Sequence, residues 1–157
     1  ADEPTTALDV TVQARVLRLL DVNVMLALSL ANHAHHKATT SWFEDVGAWA
    51  TCPITESSYC RLLLNPHVTG FELGASEVFD ALRTFCSVSG HEFIEDSASL
   101  TAPAIDVSGL VGYRQITDFH LVGLAARSGA LMATLDARIP AALTGEDRRF
   151  VEVIPVD

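Results

Sequence analysis

The sequence predicts an α/β fold with a central, mainly parallel sheet and helices on both of its faces. Two observations predict it. Segments rich in β-branched residues alternate with segments of helical periodicity, and acidic residues follow several of the predicted strands. The composition suits a globular protein, because 49% of the 157 residues are hydrophobic and only 19% are charged. A chain of this length can bury a substantial core as a single domain.

The first half of the chain alternates strands and helices. The predicted elements are a strand at 16–20 within a β-type segment at 16–24, a helix at 33–49, a strand at 50–55 and a helix at 56–64. The first helix is predicted because Trp42, Val46 and Trp49 recur at i, i+4 and i+7. Asn65-Pro66 ends the second helix, since proline disfavours helical backbone in the residue before it.

The second half continues the alternation and therefore favours a parallel sheet. The predicted elements are a helix at 76–86, a strand at 92–95, a helix at 116–128, and strands at 130–135 and 150–155. The first of these helices has Val78, Phe79, Leu82 and Phe85 on one face. Gly129 is placed to cap the C-terminus of the helix at 116–128.

Acidic residues occupy equivalent positions in these units. Asp21, Glu56 and Asp136 each follow a predicted strand, and Asp118 lies at the start of a helix. A single acid in such a place is often a helix N-cap. Ligands in parallel sheets, however, bind beyond the carboxyl ends of the strands, so we expect all four carboxylates along one edge.

Four carboxylates in one small region repel one another, which raises some of their pKa values or requires a cation. Mg²⁺ or Mn²⁺ suits carboxylate and water oxygens. An ion of this kind lowers the pKa of bound water and stabilises charge on a phosphoryl group. The cluster therefore predicts hydrolysis of phosphodiester bonds.

The charged residues of the chain argue against several other classes of protein. Ten basic residues against twenty acidic ones give a net charge of −10, which argues against nucleic-acid binding through bulk charge. An acidic enzyme can still contact RNA through a few arginines. Lys37 is the only lysine, whereas dehalogenase-type phosphatases and receiver modules require a lysine late in the chain. Such a phosphatase would also need D-x-D where this chain has Asp21-Val22-Asn23.

Cysteine use and hydropathy bear on location. Cys52, Cys60 and Cys86 are odd in number and lack CxxC spacing, which disfavours a disulfide scaffold or a zinc ribbon. The histidines within residues 32–36 are assigned to a helix start rather than to zinc. No stretch approaches the roughly 18 apolar residues of a membrane span, and the start does not resemble a signal peptide. We therefore expect a cytoplasmic protein with no membrane partner.

Residues 1–15 are interpreted as an atypical N-terminal segment, a product of start-site choice or gene fusion. Their ADEPTTALDVTVQA run resembles the Walker B and D-loop stretch of an ABC transporter ATPase. An ATPase also needs a phosphate loop of the form GxxxxGK[ST], and Lys37 is not preceded by one. Nucleotide hydrolysis is therefore excluded.

Four segments resemble the acidic motifs of PIN-domain nucleases, and in particular the VapC toxins of bacterial VapBC toxin–antitoxin pairs. These segments are LLDVNVMLAL around Asp21, ITES at Glu56, GYRQITDFHLVGLA around Asp118 and TLDARI at Asp136. The resemblance assigns residues 16–157 to a PIN domain. It implies an α/β/α sandwich, Mg²⁺-dependent endoribonuclease activity with Mn²⁺ able to substitute, a homodimer, and inhibition by a VapB-type antitoxin.

The resemblance also implies roles for individual residues. Asp21 and Asp118 would be the principal metal ligands, Asp136 would complete the site, and Glu56 would orient water at the metal or a second ion. Asn23, Thr117 and Thr134 would hydrogen-bond the carboxylates, and Arg114 would hold an RNA phosphate.

Plainer interpretations remain open. Turn and cap chemistry would also explain Asn23, Thr117 and Thr134, and a surface salt bridge would explain Arg114. For the whole domain, the alternative is a catalytically silent PIN-like scaffold that binds RNA or protein.

Overall fold

A computed structural model describes residues 16–157, so the interpretation of residues 1–15 lies outside the described part. The sheet has five strands in the order β3-β2-β1-β4-β5, and every neighbouring pair is parallel. The strands are β1 (Arg18–Leu20), β2 (Trp49–Thr51), β3 (His91–Phe93), β4 (Leu131–Thr134) and β5 (Val151–Val153). The predicted parallel sheet is confirmed.

Seven α-helices connect or follow these strands in the described part of the chain. They are α1 (Val22–Ser29), α2 (His36–Phe43), α3 (Pro53–Leu63), α4 (Pro66–Thr69), α5 (Ala75–Cys86), α6 (Ile116–Arg127) and α7 (Arg138–Ala142). None of the helices within residues 16–157 is long and apolar enough to cross a membrane.

The sheet separates two hydrophobic cores, because neighbouring residues of a strand point to opposite faces. Leu19 packs with Phe119 and Val122 of α6 on one face. Leu20 packs on the other face with residues of α1, α3 and α5, among them Met25 and Tyr59. The result is three layers, which is the predicted α/β/α arrangement.

The strand order creates a topological switch point between β1 and β4. From β1 the chain adds β2 and then β3 on one side, and it later returns to add β4 and β5 on the other side. Connections that leave adjacent strands in opposite directions open a crevice at the carboxyl ends of those strands. Asp21 follows β1 directly and Asp136 lies two residues beyond β4, so the order of strands places both acids at this crevice.

The predicted helix at 33–49 is wrong over its last third. Helix α2 ends at Phe43, and Trp49 belongs to β2. The backbone N–H of Trp49 donates to the Gly90 carbonyl, and its indole ring is fully buried against Phe43 and Phe85. The i, i+4, i+7 spacing therefore reflects two elements that pack on the same core.

Of the other boundaries that differ from the prediction, two bear on the site. The β-type segment at 16–24 is strand only to Leu20, after which burial of α1 outweighs the β preference of its valines. The strand predicted at 50–55 ends at Thr51, because Pro53 starts α3 and the Thr55 hydroxyl bonds the backbone of Cys52. Glu56 consequently lies in the first turn of a helix, not directly after a strand.

Candidate functional site

Asp21 is fixed at the carboxyl end of β1. Its backbone N–H donates to the Ala133 carbonyl of β4 at 2.9 Å, and it occupies the N-cap position of α1 without a side-chain capping bond. The carboxylate is 6% exposed and accepts a 2.7 Å hydrogen bond from the Thr134 hydroxyl. Burial raises the pKa of Asp21, and the bond from Thr134 partly opposes the rise. An acid held in this way is suited to binding a cation.

Asp118 lies in the first turn of α6 and is half-buried. Its pKa is raised to about 6, first by burial and then by the negative charges of Asp21 and Asp136. Arg138 opposes the rise only in part, and no hydrogen bond from residues 16–157 contributes to lowering it. Three carboxylates from β1, α6 and the end of β4 therefore act on one another.

Asp136 is paired with Arg138. The guanidinium donates to both carboxylate oxygens at 2.9 Å, and the backbone N–H of Arg138 donates to the first of them at 2.9 Å. These contacts lower the pKa of Asp136. The Arg138 side chain is 91% exposed, so it can leave the carboxylate at little cost. Sequence reasoning missed Arg138, although the TLDAR segment contains it two residues after the acid.

Thr134 and Asn23 connect the ends of β1 and β4. The fully buried Thr134 hydroxyl donates to Asp21 and accepts from the Asn23 side-chain amide at 3.2 Å and from the Asp136 N–H at 3.0 Å. Asn23 also accepts from the Leu135 N–H at 3.2 Å. Both residues thus hold two of the acids in place. Thr117 is exposed and borders a different hollow, with Ile54 and His120.

Glu56 points to another set of side chains. Its carboxylate accepts a 2.6 Å hydrogen bond from the Thr51 hydroxyl. One of its oxygens lies within 4.8 Å of ligand atoms of Cys86 and His91. Its charge is not among those that raise the pKa values of Asp21 and Asp118. The electrostatic coupling therefore joins Asp21, Asp118 and Asp136, and Glu56 lies outside it.

A cavity of about 250 Å³ opens onto two of the three acids, and Arg114, Asp118, Asp136 and Arg138 line it. Arg114 lies in the 3₁₀ turn Tyr113–Gln115 that leads into α6, and its Nε donates to the Tyr113 hydroxyl at 3.2 Å. Within residues 16–157, Arg114 forms no ion pair, so the surface salt bridge that the sequence left open is absent there. Its charge faces the cavity beside the carboxylates.

The donor set fits a hard divalent ion. All three acids offer carboxylate oxygens, which Mg²⁺ and Mn²⁺ prefer. The raised pKa of Asp118 means that its charge lacks a full counter-charge. A divalent cation would supply it, and Asp21, Asp118 and Asp136 are the residues that would hold the ion.

Comparisons with known proteins agree with this arrangement. The sequence matches the PIN domain family over residues 18–142. It is 40% identical to Ribonuclease VapC38 of Mycobacterium tuberculosis over 125 residues, which cover 78% of this chain and 87% of the relative. Ribonuclease VapC39 of the same species is 39% identical over 124 residues, covering 77% and 89%.

A solved structure shares the fold. The crystal structure of M. tuberculosis VapC20, described as a Sarcin-Ricin loop cleaving toxin, matches with a TM-score of 0.58 and 18% identity. The match covers 88% of this chain and 99% of that one. At this identity the likeness concerns the fold alone.

Proposed function

This chain belongs to the PIN-domain family, as one of its VapC ribonucleases, and from this premise we propose that it is the Mg²⁺-dependent endoribonuclease toxin of a type II toxin–antitoxin pair. The observation that carries the proposal is the state of Asp118, whose pKa is raised to about 6 by burial and by the charges of Asp21 and Asp136. Like charges that disfavour one another's ionisation destabilise the folded protein, so such a cluster is more typical of a functional site than of a purely structural one.

The proposed roles follow from the contacts of each residue. Asp21 and Asp118 hold the ion, and Asp136 joins them when Arg138 releases it. Thr134 and Asn23 keep Asp21 and the Asp136 backbone in position. When bound, Mg²⁺ lowers the pKa of water and stabilises negative charge on the phosphoryl group.

The remaining predicted residues act around this centre. Arg114 faces the cavity and is free to bind an RNA phosphate. Glu56 serves as an accessory acid that orients water or a second ion when it leaves Thr51. Thr117 precedes Asp118 in the same helical turn, and its predicted hydrogen bond to the carboxylates would form only after a change of its side-chain orientation.

The proposed partners are a VapB-type antitoxin, an RNA substrate and a second copy of this chain. The names of the VapC relatives support the first two. The free cysteines are consistent with a reducing cytoplasm, where we place the protein. Co-expression with the product of the adjoining gene, followed by light scattering of the purified complex, tests antitoxin binding and dimerisation together.

Cleavage of total cellular RNA tests the activity. We expect discrete fragments from the purified protein with Mg²⁺, none with EDTA, and none from Asp118→Asn or Asp21→Asn. Asp80→Asn is the matched control, because Asp80 is an exposed acid of α5 that pairs with Arg83 on the surface. It should cleave like the unaltered protein.

Two outcomes would contradict the proposal. Cleavage that persists in EDTA would show that the reaction does not need a divalent ion. Absence of cleavage by folded protein, together with absence of Mg²⁺ binding, would favour the alternative of a silent scaffold that binds RNA or protein.

A further inference from the structure

A second group of potential metal ligands lies at the carboxyl end of β2, beside the start of β3. Glu56 comes from the first turn of α3, Cys86 is the last residue of α5, and His91 is the first residue of β3. One ligand atom from each lies within 4.8 Å of the other two. Three separate elements therefore bring an oxygen, a sulfur and a nitrogen donor to one place.

These side chains converge on the Thr51 hydroxyl, which is fully buried at the end of β2. Thr51 Oγ1 lies 2.6 Å from Glu56 Oε2, 2.8 Å from His91 Nε2 and 4.0 Å from Cys86 Sγ. The three converging side chains are only half-buried. An ion and a water molecule can therefore reach them from solvent.

The chemistry of this group differs from that of the three aspartates. Thiolate and imidazole select zinc and related transition ions, whereas Mg²⁺ takes oxygen ligands. Zinc is often held by three protein ligands and a water. The charges also match, because a carboxylate, a thiolate and a neutral imidazole together balance a divalent ion.

Binding of an ion to this group would release one proton. Burial lowers the pKa of His91 and thus favours its neutral, ligating form. Burial and the charge of Glu56 raise the pKa of the Cys86 thiol, which is therefore protonated before the ion binds. Deprotonation of a thiol on binding makes the affinity rise with pH. The indole of Trp49, 4.7 Å from the imidazole centroid, restricts the His91 ring.

We propose that Glu56, Cys86 and His91 form a transition-metal site that takes Zn²⁺, with the ion replacing the Thr51 hydroxyl as the partner of His91. A further consequence rests on the proposed nuclease function. Zinc holds Glu56 beside Thr51, away from the three aspartates, and so lowers RNA cleavage. The site thereby makes the nuclease sensitive to zinc.

Co²⁺ binding to the full chain tests the site without RNA. Cobalt bound to a thiolate has a near-ultraviolet charge-transfer band that carboxylate-bound cobalt lacks. We expect this band in the unaltered protein, its displacement by one equivalent of Zn²⁺, and its loss in Cys86→Ser. Cys60→Ser is the matched control, since Cys60 is a buried cysteine one helical turn after Glu56 in α3 and is not among the three ligands. It should keep the band.

Absence of the band in folded, unaltered protein would overturn the metal site and leave Thr51 as the centre of a hydrogen-bonded network. Persistence of the band in Cys86→Ser would overturn the ligand assignment. His91→Gln should weaken Zn²⁺ binding at least tenfold, with circular dichroism as the check on folding.

A separate assay tests inhibition. Micromolar Zn²⁺ added to the Mg²⁺-loaded protein should slow RNA cleavage, and Cys86→Ser should resist this effect. Equal inhibition of both proteins would overturn the regulatory role. A protein that binds Co²⁺ through Cys86 but cuts no RNA at any metal concentration would instead refute the proposed nuclease function alone.

Discussion

The hydroxyl of Thr134 has one proton and two lone pairs, and all three are used. Its proton goes to Asp21, because the other two partners, Asn23 and the Asp136 N–H, are both donors. A serine would keep these bonds, but its hydroxyl would rotate more freely without the γ-methyl group. The β-branched residue thus fixes the direction in which Asp21 presents its free oxygen.

Asp118→Asn should stabilise the metal-free protein at neutral pH while it removes activity. The folded pKa of about 6 lies above the ordinary aspartate value near 3.9, so the folded state binds the proton more tightly. The stability that this bound proton contributes is therefore lost as the pH rises through about 6. We expect the variant to gain about 1 kcal/mol in free energy of unfolding near pH 7.5, after a discount for solvent screening.

The gain should shrink as pH falls and vanish below about pH 4, where aspartate is neutral in both states. Urea unfolding in EDTA at several pH values measures it. Asp80→Asn, which alters an exposed acid on the surface of α5, should show no gain. A pH-independent difference for Asp118→Asn would mean that packing, not charge, is the cause.

Arg138→Gln should tighten the binding of a divalent ion. Arg138 contacts both oxygens of Asp136, so the ion and the guanidinium compete for them. We expect a severalfold lower dissociation constant for Mn²⁺ by calorimetry. Arg114→Gln removes the same charge from the same cavity without breaking a contact to an acid, and it should change the constant much less. Equal changes in the two variants would mean that Arg138 affects ion binding through its charge alone and not through its contact with Asp136.

At the scale of elements, two glycines differ in the space that surrounds them. Gly90 precedes β3 with φ +92, and a Cβ there would overlap the carbonyl oxygen of Gly47. Gly123 lies inside α6, and a Cβ there would enter open space. The two positions should therefore respond in opposite directions to the same substitution.

Gly90→Ala should cost at least about 2 kcal/mol in free energy of unfolding, through backbone strain and overlap. Gly123→Ala should add about 0.5 to 1 kcal/mol, because alanine favours helix over glycine. Thermal and urea unfolding measure both changes. A destabilised Gly123→Ala protein would show that the space beside α6 closes in solution.

The elements also show what sequence patterns can predict. Helices α5 and α6 were predicted nearly to their ends, because a continuous apolar face and the glycine after α6, Gly129, mark them. The helix at 33–49 failed because Trp42 and Trp49 pack on the same core from different elements. Periodicity indicates which side of the sheet a residue faces, but it does not indicate where one element ends and the next begins.

The site was predictable to the extent that it depends on strand ends. Asp21 and Asp136 follow neighbouring parallel strands, and Asp118 begins the helix that packs beside them. Glu56 lies in the first turn of α3, because Pro53 starts that helix soon after β2, and its carboxylate accepts a hydrogen bond from Thr51. The catalytic roles of all four acids stay predictions.

For the whole molecule, metal binding should be linked to stability and to pH. An ion that binds only the folded state raises the melting temperature by an amount that grows with the logarithm of its concentration relative to the dissociation constant. Because Asp118 has a pKa of about 6, its protonation should weaken binding in more acidic solution. We expect Mn²⁺ to raise the melting temperature clearly near pH 7.5 and much less near pH 5.

Scanning fluorimetry at both pH values tests this linkage, with Ca²⁺ as a larger ion for comparison. Asp118→Asn should show only a small shift at either pH. An equal shift near pH 5 and pH 7.5 would contradict a role for Asp118 in holding the ion.

The order of strands has a consequence for how the toxin is made. β1 is synthesised first, but its neighbour β4 and the acid beyond it come from the last part of the domain. A growing chain that already contains Asp21 and Asp118 still lacks Asp136 and one side of the β1 pairing. On the proposed function, the ribosome that makes this protein is not exposed to its activity until Asp136 and β4 have been translated. An antitoxin already present in the cell would then have time to reach the new chain before it cuts RNA.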